Sequence, residues 1–273
     1  MRAGRAARLT VRYVLALAAL VVFLFPLYWL LATALKTPDE ILAYPPVWWP
    51  HSPQLAGFAG LIENGDARAV INSLIVSLVS TALAVVLGAA GAYATVRAGL
   101  GGRLFAGWAV AGRMVPPVMV ALPFFLLLAG IGWVGSLALV ILLLTAFNLP
   151  YVLWMMRGYL SEVPAALEET ALVAGLSHEQ VLRQVTWPLV RGGLFATTAF
   201  TFVLAWNELV FALMLTSDAA ETLPARLARH GVQPEMWAEN AALGVVGVLP
   251  ILIAVALMHR RLARSLSLGF VKD

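Results

Sequence analysis

Glu208 is the one carboxylate that falls inside a long apolar stretch of this chain, beside Asn207 and on the helical face shared by Thr197 and Thr201. A carboxylate, an amide and two hydroxyls so placed can hold a polar solute, relay a proton or hydrogen-bond a neighbouring helix, since polar groups in such a stretch face protein or water. Other chemistry finds little support. With no cysteine in the chain, thiolate nucleophiles, disulfides and Cys-based metal sites are excluded. His51, His178, His230 and His259 are scattered without ligand spacing, which argues against a metal. No Ser/His/Asp arrangement or pair of carboxylates in the apolar stretches suggests catalysis, so the chain is expected not to be an enzyme. It has no Gly-rich phosphate loop ending in Gly-Lys-Ser/Thr, and it is expected to hold no nucleotide of its own.

A second constellation runs from Glu168-Glu169-Thr170-Ala171 through Gly175-Leu176-Ser177 to Trp187-Pro188. Ala165 to Ala174 are mostly good helix formers, with acidic residues early, where they favour the helix dipole. Gly175 sits where a left-handed C-terminal cap is wanted. Ser177 and Gln180 have capping-box spacing, so a second helix is expected to open there, with Leu182 and Val185 as its apolar stripe and Pro188 leading into the next long stretch. The expectation is two short helices meeting at an elbow. Such apolar helices bury their faces either in a groove on a partner or against the chain's own bundle.

These residues must be positioned by elements that water does not solvate. The 273 residues are 62% hydrophobic and 12% charged, against roughly 25% charged in a soluble domain. A spanning helix needs about 20 apolar residues, because its backbone must satisfy itself in lipid. Six stretches qualify: Tyr13 to Ala34, Val70 to Val96, Met114 to Trp133, Ser136 to Met156, Gly192 to Leu215 and Ala241 to Met258. The first is too long for a cleaved export signal, despite Ala32-Thr33-Ala34. Pro116, Pro117 and Pro123 should bend or break the third, as a kink or as a gate. Ala84, Gly88 and Ala92 make one face of the second small enough for close packing.

The pI near 9.8 does not point to nucleic acid, because the cations flank apolar runs. They read as topology signals. With the N-terminus inside, the inner side collects Arg2, Arg5, Arg8, Arg12, Arg97, Arg103, Arg157, Arg183, Arg191, Arg260, Arg261, Arg264 and Lys272, and the outer side keeps Lys36, Arg68, Arg226 and Arg229. Both termini are then cytoplasmic, and Arg113 is either buried or at the interface. In the first outer loop, Trp48 and Trp49 mark the membrane interface or a partner contact.

The Glu169, Ala171, Gly175, Val185 and Pro188 spacing resembles the Glu-Ala-Ala, three residues, Gly, nine residues, Ile-x-Leu-Pro motif of ATP-binding-cassette importer permeases. Thr170 stands for the first Ala, Val185 for the Ile and Trp187 for the Leu, and Ala174 stands where an acid is common. The likeness extends to Leu35-Lys36-Thr37-Pro38-Asp39-Glu40, Asn72-Ser73-Leu74, Val115-Pro116-Pro117, Ala146-Phe147-Asn148-Leu149-Pro150, Ala205-Trp206-Asn207-Glu208 and Gly269-Phe270-Val271-Lys272. It is closest to the maltose-type, carbohydrate branch.

The resemblance implies an all-α, multi-pass protein of a bacterial inner membrane with about six transmembrane helices. Residues 1–273 would form a single permease domain, with an ATPase-coupling loop at about 157–191. It implies a second permease subunit, giving a heterodimeric pore, two ATPase subunits that carry ATP and Mg, and an extracytoplasmic solute-binding protein; the substrate would be a sugar or related polyol. Glu168, Glu169, Ala171, Gly175, Leu176, Ser177 and Pro188 would meet the ATPase. Asn148, Thr197, Thr201, Asn207 and Glu208 would border the translocation cavity or the second permease, or else bond helices together. A proton-coupled carrier using Glu208 is the alternative. A six-helix channel fits less well, since it needs paired Asn-Pro half-helices and only Asn148-Leu149-Pro150 comes close.

Overall fold

The computed structural model describes residues 2–101, 107, 108, 111, 112, 114–231 and 233–269. Among them the structure is helical, with no strand. Five helices among the described residues are long and apolar enough to cross a membrane, and a further apolar helix is shorter. The chain divides into two compact units, one of residues 1–67 and 227–249, the other of residues 68–226 and 250–273.

In the first unit, α1 (Arg2–Ala34) carries the first apolar stretch and extends beyond its expected start. The apolar window of this helix is unburied. A second helix, α2 (Pro38–Leu42), follows a capping box in which the Thr37 side chain accepts from Glu40 N–H and Glu40 accepts from Thr37 N–H. Glu40 also accepts the His51 N–H at 2.8 Å. That bond, more than any other contact, holds its carboxyl below the ordinary carboxylate range. The Lys36 ammonium lies 4.0 Å from the Trp29 ring centre, and Tyr28 donates to the Trp48 carbonyl at 2.8 Å. Next comes α3 (Ala56–Glu63), where Gly57 admits the Ala34 and Ala238 carbonyl oxygens so closely that a Cβ would lie 3.1 and 2.7 Å from them. Ala238 belongs to α12 (Trp237–Gly269).

The second unit is built on α4 (Asp66–Arg97) and α6 (Leu137–Ser161). Gly88 lets α4 approach Val152 and Leu153 of α6, so the small Ala84, Gly88 and Ala92 row serves close packing. Between them, α5 (Pro117–Ala129) has only 13 residues, a length of ~20 Å against ~30 Å of hydrocarbon. The stretch Met114 to Trp133 is thus shorter as a helix than its apolar run. Extended backbone at Pro116 with Pro117 at the first turn sets its start. Beyond Gly130, Gly132 and Gly135 have positive φ and turn the chain, and Gly135 N–H bonds Leu215 O at 2.7 Å. Arg103, Arg113, Phe270, Val271 and Lys272 lie outside the described residues.

The fifth stretch departs furthest from expectation. The chain is helical from α8 (His178–Val181) through a π turn at Leu182–Thr186 into α9 (Trp187–Trp206). The helix opened by Ser177 is therefore the start of a 29-residue span and not a separate short element. Pro188 lacks an N–H and its ring crowds the carbonyl four residues back, and the wider π turn, closed by Trp187 N–H to Leu182 O, accommodates it. At the other end the helix stops at Trp206 and resumes as α10 (Val210–Leu215), so Gly192 to Leu215 is two helices. After α10, α11 (Leu223–His230) leads to the last span.

Candidate functional site: the elbow and its anchor

A nine-residue helix, α7 (Ala165–Val173), ends at Gly175, whose φ of +93° is the left-handed conformation glycine adopts without penalty. Leu176 N–H bonds Ala171 O at 3.2 Å and Gly175 N–H bonds Leu172 O at 2.9 Å, the paired closure of a Schellman cap. One residue on, Ser177 N–H donates to Gln180 Oε1 at 2.8 Å and Gln180 N–H to Ser177 Oγ at 3.3 Å, which completes a capping box. The bend is thus fixed on both sides by satisfied backbone groups. Glu169, Gly175, Ser177 and Pro188 are exposed, Ala171 and Leu176 half-buried, and Val173 is 90% exposed. An exposed Glu179–Arg183 pair at 2.9 Å follows the bend.

Glu168 differs from the rest, being the one buried residue of α7. Its carboxylate accepts from Arg97 Nε at 3.0 Å and Arg97 Nη2 at 2.9 Å, a two-pronged pair. Thr186 Oγ1 donates to it at 2.8 Å and the Tyr93 hydroxyl at 3.3 Å. Arg97 Nη2 also bonds the Val163 carbonyl at 3.0 Å. Burial by itself would raise the Glu168 pKa, but the Arg97 and Thr186 bonds, the Arg97 charge and the Tyr93 bond outweigh it and hold the carboxyl below its usual value. Sequence reasoning assigned Arg97 to topology alone and passed over Tyr93 and Thr186. The ion-pair partners are 71 residues apart, and only a lone cation closing a span hinted at them.

The polar residues of the spans are not gathered into one open site. Asn148 is 2% exposed, and its Nδ2 has no hydrogen-bond partner among the described residues. Thr197 and Thr201 are fully buried on α9, and their hydroxyls donate to the Gly193 and Thr197 carbonyls of their own helix at 2.8 Å. Asn207 is exposed at the end of α9, with its Nδ2 donating to Val203 O. Glu208 caps α10, accepting from Phe211 N–H at 3.0 and 3.1 Å and Ala212 N–H at 3.3 Å. Among the described residues no group of three or more His, Cys, Asp or Glu could hold a metal.

Residues 82–268 match the family described as "binding-protein-dependent transport system inner membrane component". A probable ABC transporter permease of Sinorhizobium fredii is 34% identical, with 92% of this chain and 91% of that protein covered. A diacetylchitobiose uptake system permease of Streptomyces coelicolor is 31% identical, with 91% of each covered. A bacterial ABC transporter involved in the import of alginate contains a chain of the same fold, with a TM-score of 0.76 at 19% identity, covering 95% of this chain and 98% of that one.

Proposed function

The chain belongs to the family of binding-protein-dependent transport system inner membrane components, and we propose that it forms one half of the pore of an ATP-driven sugar importer. It is a multi-pass membrane permease. In the proposed assembly, residues 1–273 act as one permease domain with both termini in the cytoplasm. A second permease completes the pore, two ATPase subunits carry ATP and Mg, and an extracytoplasmic binding protein delivers the solute. The sugar class rests on the diacetylchitobiose relative.

The single observation that carries the reading is the doubly capped bend at Gly175, which leaves Glu169, Val173 and Ser177 on a rigid, exposed knob. An apolar side chain as exposed as Val173 outside the spans invites a groove on a partner. The ATPase would grip this knob through Glu169, Gly175, Leu176 and Ser177, with Glu168, Ala171 and Pro188 supporting it from behind, and closure of the ATPase pair would swing it as a lever. At the end of α9 the exposed Asn207 would meet solute, with the buried Asn148, Thr197 and Thr201 behind it in the helix packing. Glu208 is engaged as a helix cap and is poorly placed to carry protons, which weighs against the carrier.

The test is uptake by proteoliposomes containing this chain, its companion permease and the ATPase. Sugar accumulation that requires internal ATP and external binding protein, and survives collapse of the proton gradient, is expected. Accumulation that follows the proton gradient without ATP would overturn the reading.

A further inference from the structure

The elbow is attached to the rest of its unit through a buried carboxylate. A nine-residue helix is too short to be stable by itself in water, and α7 supplies no buried apolar side chain to hold it. Its one buried group is the Glu168 carboxylate, which accepts four hydrogen bonds from three residues. Two of those residues, Tyr93 and Arg97, close the cytoplasmic end of α4. The third, Thr186, is the last residue of the π turn that feeds α9. One carboxylate therefore joins the elbow, the second span and the fifth.

From this we infer that Arg97, Tyr93 and Thr186 are positioning residues that transmit movement of the elbow to α4 and α9 and set how much solute moves per ATP. Side chains of the pair are 16% and 8% exposed, so water competes weakly for the bonds and the joint is stiff. The two-pronged geometry fixes angle as well as distance, which a single-point contact does not. The π turn beside it is a place where a helix changes register without losing its backbone bonds. A push on the elbow then rotates the base of α9 rather than dissipating in a hinge. The inference rests on the proposed grip of an ATPase on the elbow and specifies how that grip reaches the pore.

The test compares wild type, Arg97→Ala, Arg97→Lys, Tyr93→Phe and Thr186→Val in the complete reconstituted transporter. Solute moved per ATP hydrolysed and the amount of ATPase retained on purification are both measured. Arg97→Ala is expected to keep its ATPase and to lose roughly tenfold in solute per ATP, within the usual span of a coupling free energy. Arg97→Lys should recover part of that ratio, and Tyr93→Phe and Thr186→Val should lose less. A merely structural role would lower transport and hydrolysis together and leave the ratio unchanged, and that result would overturn the inference. Should Arg97→Ala fail to assemble, the two neutral variants decide: a wild-type ratio in both refutes the joint, and a reduced ratio supports it. A wild-type chain that retains no ATPase would instead sink the coupling reading itself.

Discussion

Gly193 of α9 lies against the Tyr159 ring of α6 so closely that no Cβ fits between them. The neighbouring Gly192 faces open space. Two adjacent glycines in one helix thus do different things, and the difference is measurable.

Gly193→Ala should destabilise the purified protein by about 1–3 kcal/mol, the cost of overpacking a tight helix contact. Gly192→Ala should be neutral or stabilising by up to ~1 kcal/mol, because alanine is the better helix former. Thermal unfolding in detergent checks both. Equal effects would mean that the contact with Tyr159 does not hold α6 and α9 together.

Gly175→Ala places a Cβ in left-handed backbone and should cost about 1–2 kcal/mol locally. The space around Gly175 is open, so the cost comes from backbone strain and not from a clash. Gly175→Asn, which tolerates that conformation, should cost less. Limited proteolysis of the segment near 175 reads the order Gly, Asn, Ala from most to least protected.

The Glu168 carboxyl is held below its usual 4.5, because its bonds to Arg97, Thr186 and Tyr93 exceed the penalty of burial. A folded-state pKa below the unfolded one gives stability that is present in full above the unfolded value and lost as pH falls through the folded one. Wild type should therefore lose more thermal stability than Glu168→Gln as pH falls through and below the ordinary carboxylate range. At neutral pH it should be the more stable of the two. Parallel curves for the two proteins would contradict the ion pair.

Glu208→Gln keeps an oxygen for the Phe211 and Ala212 amides and should leave ATP-dependent uptake close to wild type. Glu208→Ala removes the cap and should cost about 1 kcal/mol of stability. Uptake abolished by Glu208→Gln at unchanged stability would show that the charge itself is needed.

What could be seen in the sequence follows from range. Run lengths of apolar residues placed α1, α4, α6 and α12 as spans, because each helix satisfies its backbone locally, whereas the third stretch is a shorter helix and the fifth is two. The bend was visible for the same reason: Gly175, Ser177 and Gln180 act on atoms at most a few residues away. Consequences that need two distant segments were not visible. The Arg97–Glu168 pair is one, since no local spacing joins residues 71 apart. Pro188 was legible as the entry to the next long stretch, but that the chain runs into it through a π turn and not through a break depends on packing around the buried Thr186. Glu208 read as a polar group within a span, and the break after Trp206 that makes it a cap is a tertiary feature.

The proposed grip of an ATPase on the bend at Gly175 can be tested cleanly, because the chain has no native cysteine. A single thiol placed at the exposed Ser177 and another at successive positions of the companion ATPase can be joined by a short cross-linker in native membranes. Efficient, nucleotide-sensitive cross-linking from Ser177, with none from a control thiol at Tyr44 in the first outer loop, is the predicted result. No cross-link from Ser177 to any position of an ATPase that otherwise co-purifies with the chain would contradict it.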